Sequence, residues 1–226
     1  MNALIFGSQG SIGNYILSSL EKEGINCIGT TTNKNKVNDK IIYVENNYLE
    51  ELQNIDNVNI IIWAQGCNYN DNIETFDITN FNKILEGNVT FIINSLHYLL
   101  LKNKIMNNSK LVIISSIWEE FTRENKLSYS ITKSALSGLV KNTAYDLSSR
   151  NILINNVLPG VIDNEMSRKT LSKEQINYIK NYMNFGRLIN LDDVYKTVRF
   201  LVIENSGITG QSIKVDLGFT NLKKYN

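Results

Sequence analysis

Tyr129 and Lys133 stand four positions apart in the segment Tyr129-Ser130-Ile131-Thr132-Lys133. On a helix that spacing puts a phenol and an ammonium on one face. An ammonium near a phenol favours phenolate and draws a pKa of about 10 towards the working range of a general acid or base. Upstream, the apolar run Leu111-Val112-Ile113-Ile114 ends in Ser115-Ser116, a hydroxyl pair at the close of a candidate strand. Taken singly, Tyr129 and Lys133 are surface neighbours on an amphipathic helix and Ser116 is an ordinary strand-end serine. A phenol, an ammonium and a hydroxyl are the residue types that could move a proton if the fold brought them together.

A second chemical signal lies near the N-terminus, where Ala3 to Phe6 runs into Gly7-Ser8-Gln9-Gly10-Ser11-Ile12-Gly13 and then an apolar helix with Tyr15, Ile16 and Leu20. A glycine turn between a strand and a helix brings bare backbone against a pyrophosphate and aims the helix N-terminus at it. Glycine spacing alone is weak; its placement after the first strand strengthens it. The competing reading is a tight turn with no ligand.

The elements that must position these groups follow from hydrophobic periodicity. Short apolar runs at Ala3 to Phe6, Asn26 to Thr30, Ile41 to Val44, Val58 to Trp63, Leu111 to Ser115, Ile152 to Leu158 and Ser212 to Val215 read as strands. Several are continuous Ile/Val/Leu stretches, as strands covered on both faces should be. Between them, Ser11 to Leu20, Thr79 to Leu101, Ser128 to Leu147 and Leu191 to Ile203 carry apolar residues at helical spacing. This alternation predicts α/β units winding one doubly wound parallel sheet, in a single domain over residues 1–226.

The residues of both signals resemble the short-chain dehydrogenase/reductase family, whose strand-five serine lies thirteen positions before the tyrosine of a Tyr-x-x-x-Lys helix, as Ser116 does before Tyr129. Further segments match in order. Asn88, in Gly87-Asn88-Val89-Thr90, falls at the family's fourth catalytic position, a mid-helix asparagine that holds a proton-relay water. The run Asn155 to Met166, with Pro159-Gly160-Val161-Ile162, is similar to the segment leading into the substrate loop, with Asn164 where Thr is usual. Gly186-Arg187-Leu188, Ile208-Thr209-Gly210-Gln211 and Val215-Asp216-Leu217-Gly218 resemble the closing helix and strand. The resemblance runs almost from end to end and is nearest to compact 3-oxoacyl-acyl-carrier-protein reductases.

This resemblance implies a three-layer Rossmann fold of about seven strands with a small helical substrate loop. It implies a nicotinamide dinucleotide at Gly7, Ser8, Gln9, Ser11, Ile12, Gly13, Thr30, Thr31, Glu45, Ala64, Gly66, Tyr129, Lys133, Pro159, Gly160 and Ile162. It implies catalysis by Ser116, Tyr129, Lys133 and Asn88: Ser116 and Tyr129 hydrogen-bond a substrate carbonyl, Tyr129 supplies the proton, and Lys133 holds ribose hydroxyls and assists Tyr129. Two departures stand out. Gly10 replaces the usual glycine at Ser11, and Trp63-Ala64-Gln65-Gly66 replaces Asn-Asn-Ala-Gly, which puts in question how the adenosine ribose is seated and the sheet braced.

Strand two ends in Thr30-Thr31-Thr32-Asn33-Lys34 with no carboxylate to repel a 2′-phosphate, so NADP(H) is the expected cofactor, with NAD(H) possible. Lys34 or Lys36 could add charge; Glu45 is expected at the adenine edge. The turn lacks the arginine that NADP-using relatives often carry at Gly10. The substrate pocket is expected to be framed by Trp118, residues just after Gly66, and Val161 to Phe185, with Trp118 and Phe121 equally readable as core aromatics. Three functions compete: a reductase of a 3-oxoacyl chain or similar ketone; an oxidoreductase of a sugar or sugar nucleotide, favoured by Asn68-Tyr69-Asn70-Asp71 and by Arg168 and Lys169; and a non-catalytic dinucleotide sensor.

The chain has 23 Lys+Arg against 22 Asp+Glu, a balance that offers no field for nucleic acid or an anionic membrane. No signal peptide and no uninterrupted apolar run of membrane-spanning length are read. Cys27 and Cys67 read as two buried thiols, with no metal site. A cytoplasmic enzyme acting on a small carbonyl or alcohol is expected. The resemblance implies a homo-oligomer, tetramer or dimer, with the Thr79–Leu101 and Ser128–Leu147 helices pairing across a two-fold axis.

Overall fold

Successive side chains of a strand point to opposite faces, so an apolar strand needs cover on both. A computed structural model shows that cover; it describes residues 1–45, 49–163, 167, 172–182 and 185–221. The strands are β1 (Asn2–Phe6), β2 (Asn26–Thr31), β3 (Ile41–Tyr43), β4 (Val58–Trp63), β5 (Ile105–Ile114), β6 (Leu153–Pro159) and β7 (Ser212–Val215). All pair in parallel in the order β3-β2-β1-β4-β5-β6-β7. The fold is thus a single α/β Rossmann domain.

One face of the sheet (Leu4, Phe6, Ile61, Trp63, Leu111, Ile113, Ile154) packs on α2 (Ile78–Leu85), α3 (Phe91–Leu101) and α4 (Leu127–Asp146). The other (Ala3, Ile5, Ile60, Ile62, Val112, Ile114, Val157) packs on α1 (Ser11–Lys22) and α6 (Leu191–Arg199). A further helix, α5 (Lys173–Tyr182), lies between β6 and α6. β1 pairs with both β2 and β4, so the chain reverses its direction of winding there. The crevice at the C-terminal ends of strands beside such a reversal is where open α/β sheets bind ligands.

Three boundaries differ from the periodicity reading. β5 begins at Ile105, since Ile105 pairs with Val58 ahead of a register irregularity that the polar stretch Met106 to Ser109 had masked. The expected Thr79–Leu101 helix is α2 and α3 joined through a π-turn at Glu86–Thr90, a widened turn of a kind frequent at functional sites. The closing helix likewise ends in a π-turn, Phe200–Glu204. The continuous Ile78–Leu101 helix is long and apolar enough to cross a membrane, unlike the sequence expectation. Here Ile84, Val89, Ile92, Leu96 and Leu99 spend that apolarity on the sheet.

The brace that family members place after strand four is made differently. The Trp63 indole stacks on Phe6 (5.6 Å between ring centroids, 7° between planes) and its Nε1 donates to Ser95 Oγ at 2.9 Å. Phe91 meets Phe6 edge-on. An aromatic wedge therefore ties β1 and β4 to α3.

Candidate active site

The glycine turn is forced by close packing. Gly7 has φ +72°, and a Cβ there would lie 2.5 Å from Gln65 N. A Cβ on Gly13 would lie 2.3 Å from the Gly7 carbonyl oxygen, whereas one on Gly10 would meet nothing nearer than 3.4 Å. Gly10 precedes α1, and no side chain caps that N-terminus. Beside it a cavity of about 370 Å³ is lined by Gly7, Gln9, Thr30, Thr31, Thr32, Glu45, Gln65 and Gly66. The side-chain amide of Gln65 has both its nitrogen and its oxygen buried with no hydrogen-bond partner among the described residues. A buried donor and acceptor left together are costly unless a ligand completes them. A bare turn, an uncapped helix and an orphaned amide fit a dinucleotide whose phosphates lie at the turn.

The remaining expected contacts divide. Ile12, Pro159, Gly160 and Ile162 line a second, larger cavity of about 600 Å³ that also holds Ser116 and Tyr129. Ser11 opens α1 and is exposed there. Ser8 is turned inward: its hydroxyl donates to Thr30 O at 3.0 Å, so only its backbone can face a phosphate. Ala64 packs against the core and lines neither cavity. Lys34 lies over the Tyr43 ring. Cys67 is exposed at the first cavity, not buried as expected; Cys27 is buried, which pushes its thiol up to about 11. Asn164, Arg168 and Lys169 lie outside the described residues.

Ser116, Tyr129 and Lys133 come together at the ends of β5 and α4. Tyr129 and Ser116 line the same cavity, and the Ser116 Oγ accepts weakly from Trp118 N at 3.4 Å. Lys133 is buried, with Nζ 5.7 Å from the Tyr129 ring centroid and 3.3 Å from the Ile114 carbonyl it donates to. Burial pushes the Tyr129 phenol up to about 12, against a smaller lowering by Ser116. Burial also drives Lys133 itself down to about 8, so desolvation is the largest cause at both groups. In this state Tyr129 is a firmly protonated acid.

Asn88 sits in the π-turn, 1% exposed. Its Oδ1 accepts from Cys67 N at 2.7 Å, and its Nδ2 donates to Cys67 O and to Thr132 Oγ1, each at 3.0 Å. The side chain is a clamp between the β4 exit and α4, with both amide hydrogens spent. Gly66 makes room for it: a Cβ there would stand 3.3 Å from Asn88 Oδ1 and 3.6 Å from Lys133 Nζ.

The larger cavity is framed as expected by Trp118, by Asn68 just after Gly66, and by Val161, Ile162, Ser167, Glu174, Gln175, Tyr178 and Ile179. Trp118 and Phe121 line it, with ring centroids 6.3 Å apart, so they are cavity walls and not core. The polar stretch after β4 is not loose loop surface: Asp71 accepts from Ser128 N at 3.0 Å and from Ser128 Oγ, capping α4. Asn68 and Asn70 grip the ammonium of Lys126.

Lys126, Gln65 and Glu119 escaped the sequence reading. Lys126 was legible as a lysine three positions before Tyr129, just ahead of the helix that carries it. Glu119 is buried, accepts from Asn156 Nδ2 at 3.1 Å and from Ser212 Oγ, and ties the β5 exit to β6 and β7. Burial raises its pKa. No local pattern marks it.

Comparison with known proteins agrees with this geometry. Residues 44–220 match a family model described as enoyl-(acyl carrier protein) reductase. The chain is 30% identical over 233 residues to a 3-oxoacyl-[acyl-carrier-protein] reductase of Rickettsia conorii, covering 96% of this chain and 95% of that protein. It is 28% identical to the L-rhamnose 1-dehydrogenase (NADP(+)) of Thermoplasma acidophilum, over 96% of this chain and 95% of the relative. In structure it resembles a short chain dehydrogenase family protein from Francisella tularensis, with a TM-score of 0.87 at 21% identity over 98% of this chain and 99% of the other.

Proposed function

Since the chain belongs to the short-chain dehydrogenase/reductase family and is an NAD(P)-dependent oxidoreductase, we propose that it reduces a ketone of the 3-oxoacyl type, with NADP(H) preferred and Tyr129 as the general acid. The observation that carries this reading is that Ser116 and Tyr129 line the larger cavity together, with buried Lys133 Nζ 5.7 Å from the Tyr129 ring centroid. The bound reduced nicotinamide supplies a hydride to the carbonyl carbon. Ser116 and Tyr129 hold the carbonyl oxygen, and the Tyr129 O–H bond breaks to deliver the proton, leaving a secondary alcohol and a phenolate. A phenol held near 12 is protonated at neutral pH, which suits donation in the direction of reduction.

Lys133, buried beside the ring, stabilises the phenolate as it forms and holds ribose hydroxyls. Asn88 fixes the β4 exit against α4; a relay water near it would be held by backbone, since its side-chain donors are spent. Thr31, Thr32 and Gln9 line the cavity where a 2′-phosphate would lie, with no carboxylate at the end of β2. We further place the enzyme in the cytoplasm as a homo-oligomer, tetramer or dimer. Exposed Ile93 and Leu101 on α3, and Ile131 and Tyr145 on α4, support pairing of these helices. Light scattering that found only monomer at micromolar concentration would refute it.

A sugar substrate is the second reading. The rhamnose dehydrogenase relative and the Asn68–Lys126 corner of the cavity favour it. The deciding experiment measures cofactor oxidation with 3-oxoacyl thioesters, simple ketones and keto-sugars, for the parent and for Tyr129→Phe. The expected result is turnover better on the thioesters than on the keto-sugars, nearly abolished in Tyr129→Phe with cofactor binding retained. Rates for Tyr129→Phe within a few-fold of the parent would overturn the role of Tyr129. Tight cofactor binding without turnover on any compound would favour a sensor.

A further inference from the structure

We propose that Lys126 is a specificity-determining residue: its ammonium, fixed in the wall of the larger cavity beside Tyr129, binds a carboxylate carried by the substrate close to its reacting carbonyl, so the preferred substrates are oxo acids. This rests on the ketone-reductase reading of the same site and narrows its substrate class.

Lys126 is 5% exposed. Its Nζ donates to Asn68 Oδ1 and Asn70 Oδ1, both at 2.7 Å, and stands 5.3 Å from the Tyr129 ring centroid. An ammonium has three hydrogens to donate, and two amide oxygens take two of them. Among the described residues no carboxylate forms an ion pair with it; the nearby Asp71 is engaged by Ser128.

A buried charge is ordinarily paired, and leaving one with neutral partners alone is costly. The cost shows in Lys126, which burial lowers to about 8, with Arg123 adding to the lowering and Asp71 opposing it. Arg123 stands on the same wall, its guanidinium 5.7 Å from the Trp118 ring centroid. Two cations thus face one cavity. The carboxylate that α5 brings to its lining, Glu174, forms no ion pair with Lys126 among the described residues.

Position fixes which part of a substrate Lys126 would touch. With the carbonyl oxygen on Ser116 and Tyr129, a cation lying against the same tyrosine ring meets a group only a few bonds from the reacting carbon. The rest of the wall, Trp118, Phe121, Val161 and Ile179, is apolar and suits a hydrocarbon remainder. A charge-assisted hydrogen bond to a carboxylate is roughly twice as strong as one to a neutral carbonyl. The corner therefore favours the acid over its ester.

The test compares 3-oxobutanoate with its methyl ester, using the NADPH-loaded protein and its Lys126→Met and Lys126→Arg variants. Both kcat/KM and calorimetric affinity are read. The expected result is an advantage for the acid of about ten-fold or more, lost in Lys126→Met and partly restored in Lys126→Arg, with the ester changed little. Parent protein that favours the ester or a 3-oxoacyl thioester, or a Lys126→Met loss equal on acid and ester, would overturn the inference while leaving the reductase reading intact. If neither compound turns over, equal or undetectable binding of the two also overturns it. The reductase reading itself fails only if no ketone of the wider panel is reduced.

Discussion

Replacing Gly13 by alanine tests the phosphate turn at its tightest point. The added Cβ would lie 2.3 Å from Gly7 O, 2.8 Å from Gly7 C and 3.1 Å from Ser8 Cα, where ordinary contact begins at 3.4 Å. All three neighbours are backbone, so the turn itself must open by about 1 Å, and forced overpacking of this kind costs about 1–3 kcal/mol. If that strain falls on the bound turn, NADPH affinity drops by about 5- to 150-fold. Gly10→Ala is the matched control: its Cβ meets Gly7 O at 3.4 Å and its φ of −80° suits any L residue. The measurement is the NADPH dissociation constant by fluorescence titration, with circular dichroism confirming that each variant is folded. Folded Gly13→Ala binding NADPH within two-fold of the parent would refute the reasoning, as would a Gly10→Ala loss as large as that of Gly13→Ala.

Other expectations follow from the site. Lys126 is held at about 8 in the folded protein against an ordinary 10.5, so between those pH values the unfolded chain binds the extra proton and stability rises with pH. The penalty, at most about 3.4 kcal/mol, is complete below pH 8 and gone above 10.5. Lys126→Met should therefore raise the urea midpoint at pH 7 and not at pH 10.5; an equal change at both would contradict the burial argument. Asn88→Ala removes three hydrogen bonds, one buried and two partly buried, and should destabilise by about 2–4 kcal/mol while lowering kcat; an unchanged denaturation midpoint would mean that the clamp is not structural. Gly10 is exposed and a Cβ there meets nothing nearer than 3.4 Å, so Gly10→Arg should raise the NADPH-to-NADH ratio of kcat/KM by about ten-fold through a charge-assisted contact with the 2′-phosphate. No change in that ratio would place the phosphate elsewhere.

What could be read from the chain alone was whatever depends on local geometry. A Tyr-x-x-x-Lys spacing shares a face in any helix, so the side on which Tyr129 and Lys133 meet needed no fold. Continuous apolar strands alternating with amphipathic helices imply a covered parallel sheet, and glycines between the first strand and helix imply a close turn. These rules led to the seven strands and to the shared face of Tyr129 and Lys133, while it was the family resemblance that added Ser116 to them. They were blind where pairing is distant. Ile105 joins β5 only because Val58 lies opposite it, and Trp63 could be seen to replace an asparagine but not to find Ser95 as its partner.

The electrostatics of the site were decided by tertiary structure alone. An ammonium four residues away predicts a lowered phenol, yet burial of both groups reverses the balance and leaves Tyr129 near 12 and Lys133 near 8. Desolvation depends on everything that surrounds a group, most of it remote in sequence. For the same reason Asn68 and Asn70 read as polar loop until the fold set them 2.7 Å from an ammonium more than fifty residues along the chain. Spacing along one helix determined which groups could share a proton, whereas packing between elements determined which of them hold a charge and what charge the cavity invites.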